Sequence, residues 1–250
     1  MPRFNHGDVE IAYLDEGGGE PIVLVHGFAS NKEVNWVQPG WTATLAAAGR
    51  RVIALDNRGH GQSTKLYDPS DYRMALMAAD VRALLDHLGL AHADIMGYSM
   101  GARIAAFLAV NHPQRTRSLI LGGIGSKLVT GAGLPDAVVA ALEAPSLAEV
   151  SDPTGRMFRK FAEQTQSDLR ALGACIRGAR ETLTPEQIAA VKAPVLVAVG
   201  GKDTVAGDGP ALAALFPQGQ ALEIPNRDHM LAVGDKVFKA GVIRFLNERA

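Results

Sequence analysis

The hydrophobic pattern of the first half of the chain alternates between short apolar runs and longer segments with the apolar spacing of a helix. Short apolar runs bounded by turn-forming residues favour buried strands, and the longer spacing favours helices. Strands are predicted at "VEIAY", "PIVLVHG", "RVIALD", "ADIMGYS" and "RTRSLILGG", with a turn at "GGG" between the first two. Helices are predicted at "DYRMALMAADVRALLDHLGL" and "MGARIAAFLAVNHP". This alternation predicts βαβ crossovers and a mostly parallel sheet with helices on both faces.

The pattern changes after Gly122 and Gly123, where helical spacing continues without a buried-strand pattern. The predicted helices of this segment are "LPDAVVAALE", "TGRMFRKFAEQT", "SDLRALGACIRGA" and "TPEQIAAV". Strand and helix patterns resume at "APVLVAVGGKD" and continue through "GPALAALFP", "QALEIPN" and "KVFKAGVIRFLNE". We therefore expect one α/β core formed by residues 1–123 and 191–250, with residues 124–190 as a helical insert.

Composition narrows the class of protein and its partners. The chain has 250 residues, 47% of them hydrophobic, which is enough for a large core. Its 25 basic and 26 acidic residues are spread along the chain, so we expect no nucleic-acid partner. The polar amino terminus and the lack of a long apolar run predict a cytoplasmic protein without a membrane partner. The lone Cys175 and the scattered histidines predict no disulfide within the chain, no metal site and no cofactor.

A serine lies where a predicted strand gives way to a predicted helix. Gly97, Ser99 and Gly101 fit the pattern G-x-S-x-G. A tight turn there would lift the serine side chain away from the sheet, and the glycines would avoid collisions with neighbouring backbone. The backbone N–H of Met100, at the start of the helix, could then donate to an oxyanion. A nucleotide-binding loop is the alternative, but the phosphate-binding glycine spacings are missing from the sequence.

A serine nucleophile requires a histidine base, because its hydroxyl is weakly nucleophilic at its own pKa. Among the seven histidines, four are more simply explained as surface or capping residues: His6, His87, His92 and His112. His229 instead lies in the loop "NRDHM" after a late strand. Loops that follow parallel strands meet at the carboxyl edge of the sheet, which is also the edge of Ser99. We therefore predict that His229 is the base.

The acid that orients the base is predicted to be Asp203, which follows the strand "VLVAVGG" and reaches the same edge of the sheet. Asp228 is the competing candidate, but it directly precedes His229, so its carboxylate would have to fold back onto the neighbouring ring. Asp208 and Glu223 are weaker alternatives.

These motifs together resemble the α/β-hydrolase fold superfamily over essentially the whole chain. The matching segments are "HGFAS", "DNRGHGQS", "GYSMG", "GGKD" and "DHM". The chain order Ser99, Asp203, His229 is the order of the catalytic triad in that family. The resemblance implies a catalytic site at the carboxyl edge of the sheet, with residues 124–190 lying over it as a lid.

The resemblance also implies roles for two loops. The backbone N–H of Phe28 would be the second oxyanion donor, in a turn shaped by His26 and Gly27. Losing one such donor costs about 3 to 4 kcal/mol in other enzymes. The loop "DNRGHGQS" would brace the edge of the site through Asp56, Arg58, Gly59, His60, Gly61 and Ser63. His60 is not expected to be the base, because it follows a much earlier strand than the base of the family and would need a different acid.

The residue at the turn limits the reaction. Relatives that open epoxides or displace halide use aspartate there, whereas serine suits acyl chemistry on an ester, lactone or thioester. The leading hypothesis is therefore a hydrolase of small-molecule carboxylic esters or lactones. The alternatives are a carbon–carbon bond hydrolase, a cofactor-free perhydrolase on the same triad, and a noncatalytic receptor of hydrolase fold. The first is less favoured, because the oxyanion segment "HGSGPG" that is familiar from carbon–carbon bond hydrolases is replaced here by "HGFASN".

The helical insert carries two groups of side chains that could contact a substrate. Its apolar residues could line an acyl pocket, although most are expected to form the core of the insert: Leu134, Val138, Val139, Leu142, Met157, Phe158, Phe161 and Leu172. Its cations could attract an acidic substrate or simply form solvated helix faces: Arg156, Arg159, Lys160, Arg170, Arg177 and Arg180.

Overall fold

The computed structural model describes residues 1–131 and 133–249. Its sheet has eight strands: β1 (Arg3–His6), β2 (Val9–Gly17), β3 (Glu20–Val25), β4 (Arg50–Leu55), β5 (Ala93–Tyr98), β6 (Thr116–Gly122), β7 (Val195–Gly200) and β8 (Gly219–Ile224). Their order across the sheet is β1-β2-β4-β3-β5-β6-β7-β8. The pairs β1/β2 and β2/β4 are antiparallel, and all other neighbours are parallel. The predicted α/β fold with a mostly parallel sheet is confirmed.

Ten α-helices accompany these strands in the described residues: α1 (Trp41–Ala47), α2 (Met74–His87), α3 (Met100–Asn111), α4 (Lys127–Thr130), α5 (Asp136–Glu143), α6 (Pro153–Gln164), α7 (Leu169–Gly178), α8 (Pro185–Ala189), α9 (Gly209–Ala213) and α10 (Lys236–Glu248). A short π-helix (Glu33–Val37) precedes α1. Helices α4 to α8 all lie between β6 and β7, and no strand interrupts them in the described part of that segment.

The core lies on both faces of the sheet, as expected where helices cover parallel strands. Alternate residues of β3 show the two layers: Val23 and Val25 pack in one cluster, and Ile22 and Leu24 pack in the other. Every residue of the inner strands β5 and β7 is buried. The continuous apolar runs at these strands follow from that burial.

Four of these elements are missing from the sequence prediction. Strand β1 is a short edge strand in which only Phe4 is buried, so it has no apolar run. Helix α1 and the π-helix before it are separated by Pro39 and Gly40, which hide the helical period. Helix α4 is a single turn. No helix among the described residues has the length and apolar character needed to span a membrane.

Candidate active site

The strand-to-helix turn between β5 and α3 places Ser99 in a conformation that side chains rarely adopt, with φ 53° and ψ −115°. Close backbone packing explains the flanking glycines. A Cβ atom on Gly97 would lie 2.2 Å from the carbonyl oxygen of Gly101, and one on Gly101 would lie 2.0 Å from the carbonyl oxygen of Val25. The Ser99 N–H donates to the Gly122 carbonyl at 2.8 Å, which ties the turn to β6. The turn is therefore held rigidly at the carboxyl edge of the sheet.

The side chains of Ser99, His229 and Asp203 form one hydrogen-bonded chain. His229 Nδ1 lies 2.7 Å from Asp203 Oδ2, and His229 Nε2 lies 2.9 Å from Ser99 Oγ. An ionised carboxylate can only accept, so Nδ1–H donates to Asp203 and the serine hydroxyl donates to Nε2. His229 is 5% exposed, so bulk water has little access to this chain of hydrogen bonds. The structure thus brings together the three residues that the sequence singled out.

The carboxylate of Asp203 accepts hydrogen bonds from three donors: the His229 ring and two backbone N–H groups. Burial alone would raise its pKa, but the hydrogen bond and charge of His229 and the backbone N–H groups of Ala206 and Val205 outweigh burial and lower the pKa below its ordinary value. The two backbone donors reach Asp203 Oδ1 at 2.9 and 2.8 Å. The carboxylate therefore remains ionised and keeps one tautomer of His229.

The other acids considered from the sequence lie elsewhere. Asp228 is exposed, and its Oδ1 accepts from the N–H groups of Met230 and Leu231. Asp208 caps helix α9 by accepting from Ala211. Glu223 is exposed on β8. None of these three carboxylates is hydrogen-bonded to His229.

Two backbone N–H groups beside Ser99 have no acceptor among the described residues, those of Phe28 and Met100. Met100 is the first residue of α3, where N–H groups lack partners within the helix. The turn of Phe28 lies against the serine, because a Cβ atom on Gly27 would be 3.5 Å from Ser99 Cβ. The Gly27 N–H donates to Asn35 Oδ1 at 3.0 Å and fixes the turn. These are the two N–H groups that the resemblance names as oxyanion donors.

His26 and His60 are buried behind this turn rather than beside the serine hydroxyl. The N–H of Asn57 donates to His26 Nε2 at 2.9 Å, so His26 Nδ1–H donates to the Gly27 carbonyl at 2.7 Å. Burial lowers the pKa of His60 to about 3, and its Nδ1 lies 3.0 Å from the Arg58 carbonyl. Both rings are neutral near pH 7 and brace the loop.

Three further residues of "DNRGHGQS" are buried and paired: Asp56, Arg58 and Ser63. Asp56 is fully buried and accepts from Lys32 Nζ at 2.7 Å and from the N–H of Lys32 at 2.8 Å. Arg58 donates twice to the carboxylate of Asp80, at 2.7 and 2.8 Å. Ser63 Oγ donates to the Asp56 carbonyl at 2.7 Å.

Two pockets meet at Ser99 and Phe28. The Met100 pocket encloses about 610 Å³, part of it open to solvent, and is also lined by Met100, Arg103, Ile124, Lys127, Leu134, Cys175, Ile176 and Ala206. The His229 pocket encloses about 840 Å³, which is also partly open to solvent. It is lined in addition by Tyr98, Phe158, Phe161, His229, Met230 and Leu231. Helices α6 and α7 of the helical segment contribute to these walls.

The apolar residues of the helical segment divide between pocket and core. Leu134 lines the Met100 pocket, and Phe158 and Phe161 line the His229 pocket. Those that pack in the core without lining either pocket are Val138, Val139, Leu142, Met157 and Leu172.

The cations of the segment that were candidates for attracting substrate line neither pocket: Arg156, Arg159, Lys160, Arg170, Arg177 and Arg180. Arg159 is paired with Glu163, Arg177 with Glu143, and Arg180 with Asp136. Two cations that the sequence pattern did not single out, Arg103 and Lys127, line the Met100 pocket instead. The signal for Arg103 was a single charge within the apolar run "ARIAAFLAV".

Comparison with known proteins places the chain in a family. A sequence model of the alpha/beta hydrolase fold family matches residues 20–146, and the chain belongs to this family. It is 34% identical over 230 residues to the dihydrolipoyllysine-residue acetyltransferase component of the acetoin cleaving system of Pseudomonas putida, a match that covers 86% of this chain and 60% of that protein. The chain thus spans less than two thirds of that relative's length.

Two further proteins are similar over almost their whole length. The chain is 29% identical over 274 residues to the non-heme chloroperoxidase CPO-A1 of Kitasatospora aureofaciens, covering 96% of this chain and 97% of that one. A solved structure of a thermophilic esterase from Thermogutta terrifontis matches with a TM-score of 0.75 and 25% identity, covering 96% of this chain and 94% of that one. These similarities support assignment of the chain to the hydrolases as a broad class.

Proposed function

We propose that the protein is a serine hydrolase that cleaves small carboxylic esters, including lactones, through an acyl-enzyme on Ser99. The observation that carries the proposal is the hydrogen-bonded chain from Ser99 Oγ through His229 to Asp203, beside two backbone N–H groups that have no acceptor in the described part of the chain. A serine polarised by a histidine and facing oxyanion donors is suited to attack a carbonyl carbon.

In the acylation half of this mechanism, Ser99 Oγ attacks the ester carbonyl while His229 Nε2 takes the hydroxyl proton. The carbonyl oxygen becomes an oxyanion and accepts from the N–H groups of Phe28 and Met100. The tetrahedral intermediate collapses when His229 gives its proton to the alcohol oxygen, which leaves. Asp203 stabilises the imidazolium and holds its tautomer throughout.

Deacylation repeats these steps with water as the nucleophile. His229 removes a proton from the water, the resulting hydroxyl attacks the acyl carbon, and the proton returns to Ser99 Oγ as the acid is released. Ester and water are thus converted to acid and alcohol, and every group that the cycle requires is on this chain.

The two pockets take different parts of the substrate in this proposal. The leaving oxygen must lie near His229 Nε2, and His229 lines only the pocket that bears its name. The alcohol therefore extends into the His229 pocket, and the acyl group extends into the Met100 pocket. Helices α4 to α8 act as a cap over both, anchored by the Thr165 hydroxyl, which donates to the Ala29 carbonyl at 2.8 Å.

A second candidate activity is perhydrolysis, in which hydrogen peroxide replaces water as the nucleophile that attacks the acyl-enzyme and releases a peracid. The similarity to a non-heme chloroperoxidase over nearly the full chain favours it. The same triad would serve both reactions, and the ratio of peracid to acid formed in the presence of peroxide measures their balance.

A panel of short-chain esters, thioesters and lactones, assayed by pH-stat with wild-type protein and Ser99→Ala, tests the proposal. We expect turnover of at least one oxygen ester or lactone by wild type and its loss in Ser99→Ala. A protein that binds these compounds without turning any of them over would instead be a receptor of hydrolase fold.

A further inference from the structure

The Met100 pocket contains an arginine whose charge is not balanced by any described residue. Arg103 is 6% exposed and lines the pocket beside Ser99. Its guanidinium donates only to backbone carbonyls: Nη1 to Glu181 at 3.0 Å, and Nη2 to Lys127 and Gly131 at 2.9 Å each. No carboxylate of the described residues lies within ion-pair distance of it. A buried charge ordinarily has a partner of opposite charge.

The other buried arginines of the described chain follow that rule. Arg50 is paired with Glu20, Arg58 with Asp80, and Arg159 with Glu163. Arg159 makes the closest comparison, because it also donates to backbone carbonyls, those of Ala141, Leu142 and Ala144, and still has its carboxylate. Arg103 therefore differs from these three structural arginines, because it lacks a carboxylate partner among the described residues.

The position of Arg103 relates its charge to the nucleophile. It follows Ser99 by four residues, in the first turn of α3, and both side chains line the Met100 pocket. The wall of the same pocket also includes the apolar side chains of Met100, Ile124 and Ile176.

The charged side chains that line the Met100 pocket are all cationic in the described part of the chain. Lys127 is the other ionised group on its wall, and its Nζ donates to the Thr204 carbonyl at 3.3 Å without a carboxylate partner among the described residues. No aspartate or glutamate in the described part of the chain lines the pocket. Although burial lowers the pKa of Arg103 to about 10, the group remains cationic near pH 7.

We propose that the Met100 pocket selects acyl groups that end in a carboxylate, which pairs with Arg103, so that the substrates are monoesters of short dicarboxylic acids or lactones that carry a carboxylate. This inference rests on the proposed function, because it assigns the acyl group to that pocket. The apolar wall packs against the methylenes of the acyl chain while the far carboxylate supplies the missing partner of Arg103. Hydrolysis of such a monoester releases a dicarboxylate and an alcohol.

The test compares the monoethyl esters of succinate, glutarate and adipate with neutral ethyl esters of the same chain length. We expect wild-type kcat/KM to favour the charged ester of the best pair by about tenfold or more. In Arg103→Met this ratio should fall to about one or below, and Arg103→Lys should retain part of it. The matched control is Arg177→Met, which removes a cation of the cap that lines neither pocket and should keep the wild-type ratio.

A binding measurement covers the case in which Arg103→Met does not fold. Calorimetry with the Ser99→Ala protein should show binding of adipate and no binding of its neutral diamide. Preference of the wild type for the neutral esters, or equal binding of adipate and its diamide, would overturn the inference while leaving the proposed hydrolase intact. A protein that turns over no ester but binds adipate would lose the proposed function and keep the anion site.

Discussion

The hydroxyl of Tyr98 donates a 2.6 Å hydrogen bond to the backbone carbonyl of His229, 131 residues further along the chain. Tyr98 is buried at the end of β5 and directly precedes Ser99. The residue before the nucleophile therefore fixes the loop that carries the base. This contact couples the two segments whose separation sets the distance from Ser99 Oγ to His229 Nε2.

Replacing Tyr98 by phenylalanine should loosen that coupling without disturbing the sheet. The variant leaves the His229 carbonyl without its partner, which costs about 1–3 kcal/mol of stability for a buried acceptor. We expect kcat to fall while KM changes little, because the ring of residue 98 stays in the wall of the His229 pocket and only the hydroxyl that holds the loop of His229 is lost. Steady-state kinetics and urea denaturation measure both effects. Tyr67→Phe, which removes an exposed hydroxyl bonded to Asp168, is the control and should change neither.

The two aspartates near His229 should differ sharply when each is changed to asparagine. Asp203→Asn offers the ring an amide in place of a carboxylate and favours the wrong tautomer, which should lower kcat by about ten-thousandfold. Asp228→Asn changes an exposed side chain that only accepts from two backbone N–H groups, so its activity should stay near that of wild type. Equal losses in the two variants would contradict the assigned role of Asp203.

Ser99 and Asp203 could be placed at one edge of the sheet from the sequence because each follows a strand whose apolar run is unmistakable. Ser99 follows β5 and Asp203 follows β7, two strands in which every residue is buried. Parallel strands bring the loops at their carboxyl ends to one edge of the sheet, so spacing along the chain translates into proximity. Tyr98 was missed because its role depends on a backbone carbonyl, which no side-chain motif marks.

A methyl group added at the turn after the nucleophile should damage both fold and activity. Gly101→Ala would place a Cβ atom 2.0 Å from the Val25 carbonyl oxygen, so either α3 or β3 must move. We expect a loss of about 1–3 kcal/mol or more in the free energy of unfolding, with a large fall in kcat as Ser99 and the Met100 N–H are displaced. Gly18→Ala is the control, because no atom lies within 4 Å of its added Cβ. An active and stable Gly101→Ala protein would show that the turn can relax.

The buried pair of Lys32 and Asp56 should make stability depend on pH. Burial alone would raise the pKa of Asp56, but the charge of His26, the Lys32 ammonium and the N–H groups of Lys32 and Gln62 outweigh burial and lower the pKa below its ordinary value. A lowered carboxyl pKa contributes stability that is complete above the unfolded-state value of about 3.9 and is lost as the pH falls through the folded-state value.

Asp56→Ala should therefore lower the free energy of unfolding by about 3–5 kcal/mol at neutral pH, since it leaves Lys32 buried without its partner. The difference between wild type and variant should begin to shrink as the pH falls below about 4, where Asp56 of the unfolded chain takes up a proton, and should shrink further as the pH falls toward the lowered folded-state pKa. Urea denaturation from pH 3 to pH 7 measures it. A difference that stays constant across this range would show that Asp56 acts through packing rather than charge.

The residues that line the two pockets could not be predicted from the sequence, for a different reason. Their walls combine residues from the serine turn, α3 and the helical segment, and helical spacing alone cannot say which apolar side chains face a cavity and which face a neighbouring helix. Leu134 and Val138 are both apolar and close in sequence, yet only Leu134 lines the Met100 pocket. Arg103 was likewise visible as a charge in an apolar run, but its lack of a carboxylate partner is a property of the packed structure.

The most direct test of the central claim is to identify the residue that becomes acylated. Wild-type protein mixed with p-nitrophenyl acetate and quenched in acid should yield a peptide that contains residues 97–101 with one acetyl group on Ser99, detected by mass spectrometry. Asp203→Asn and His229→Ala should accumulate this species far more slowly. Turnover of the ester without acetylated Ser99, or undiminished turnover by Ser99→Ala, would contradict the acyl-enzyme mechanism.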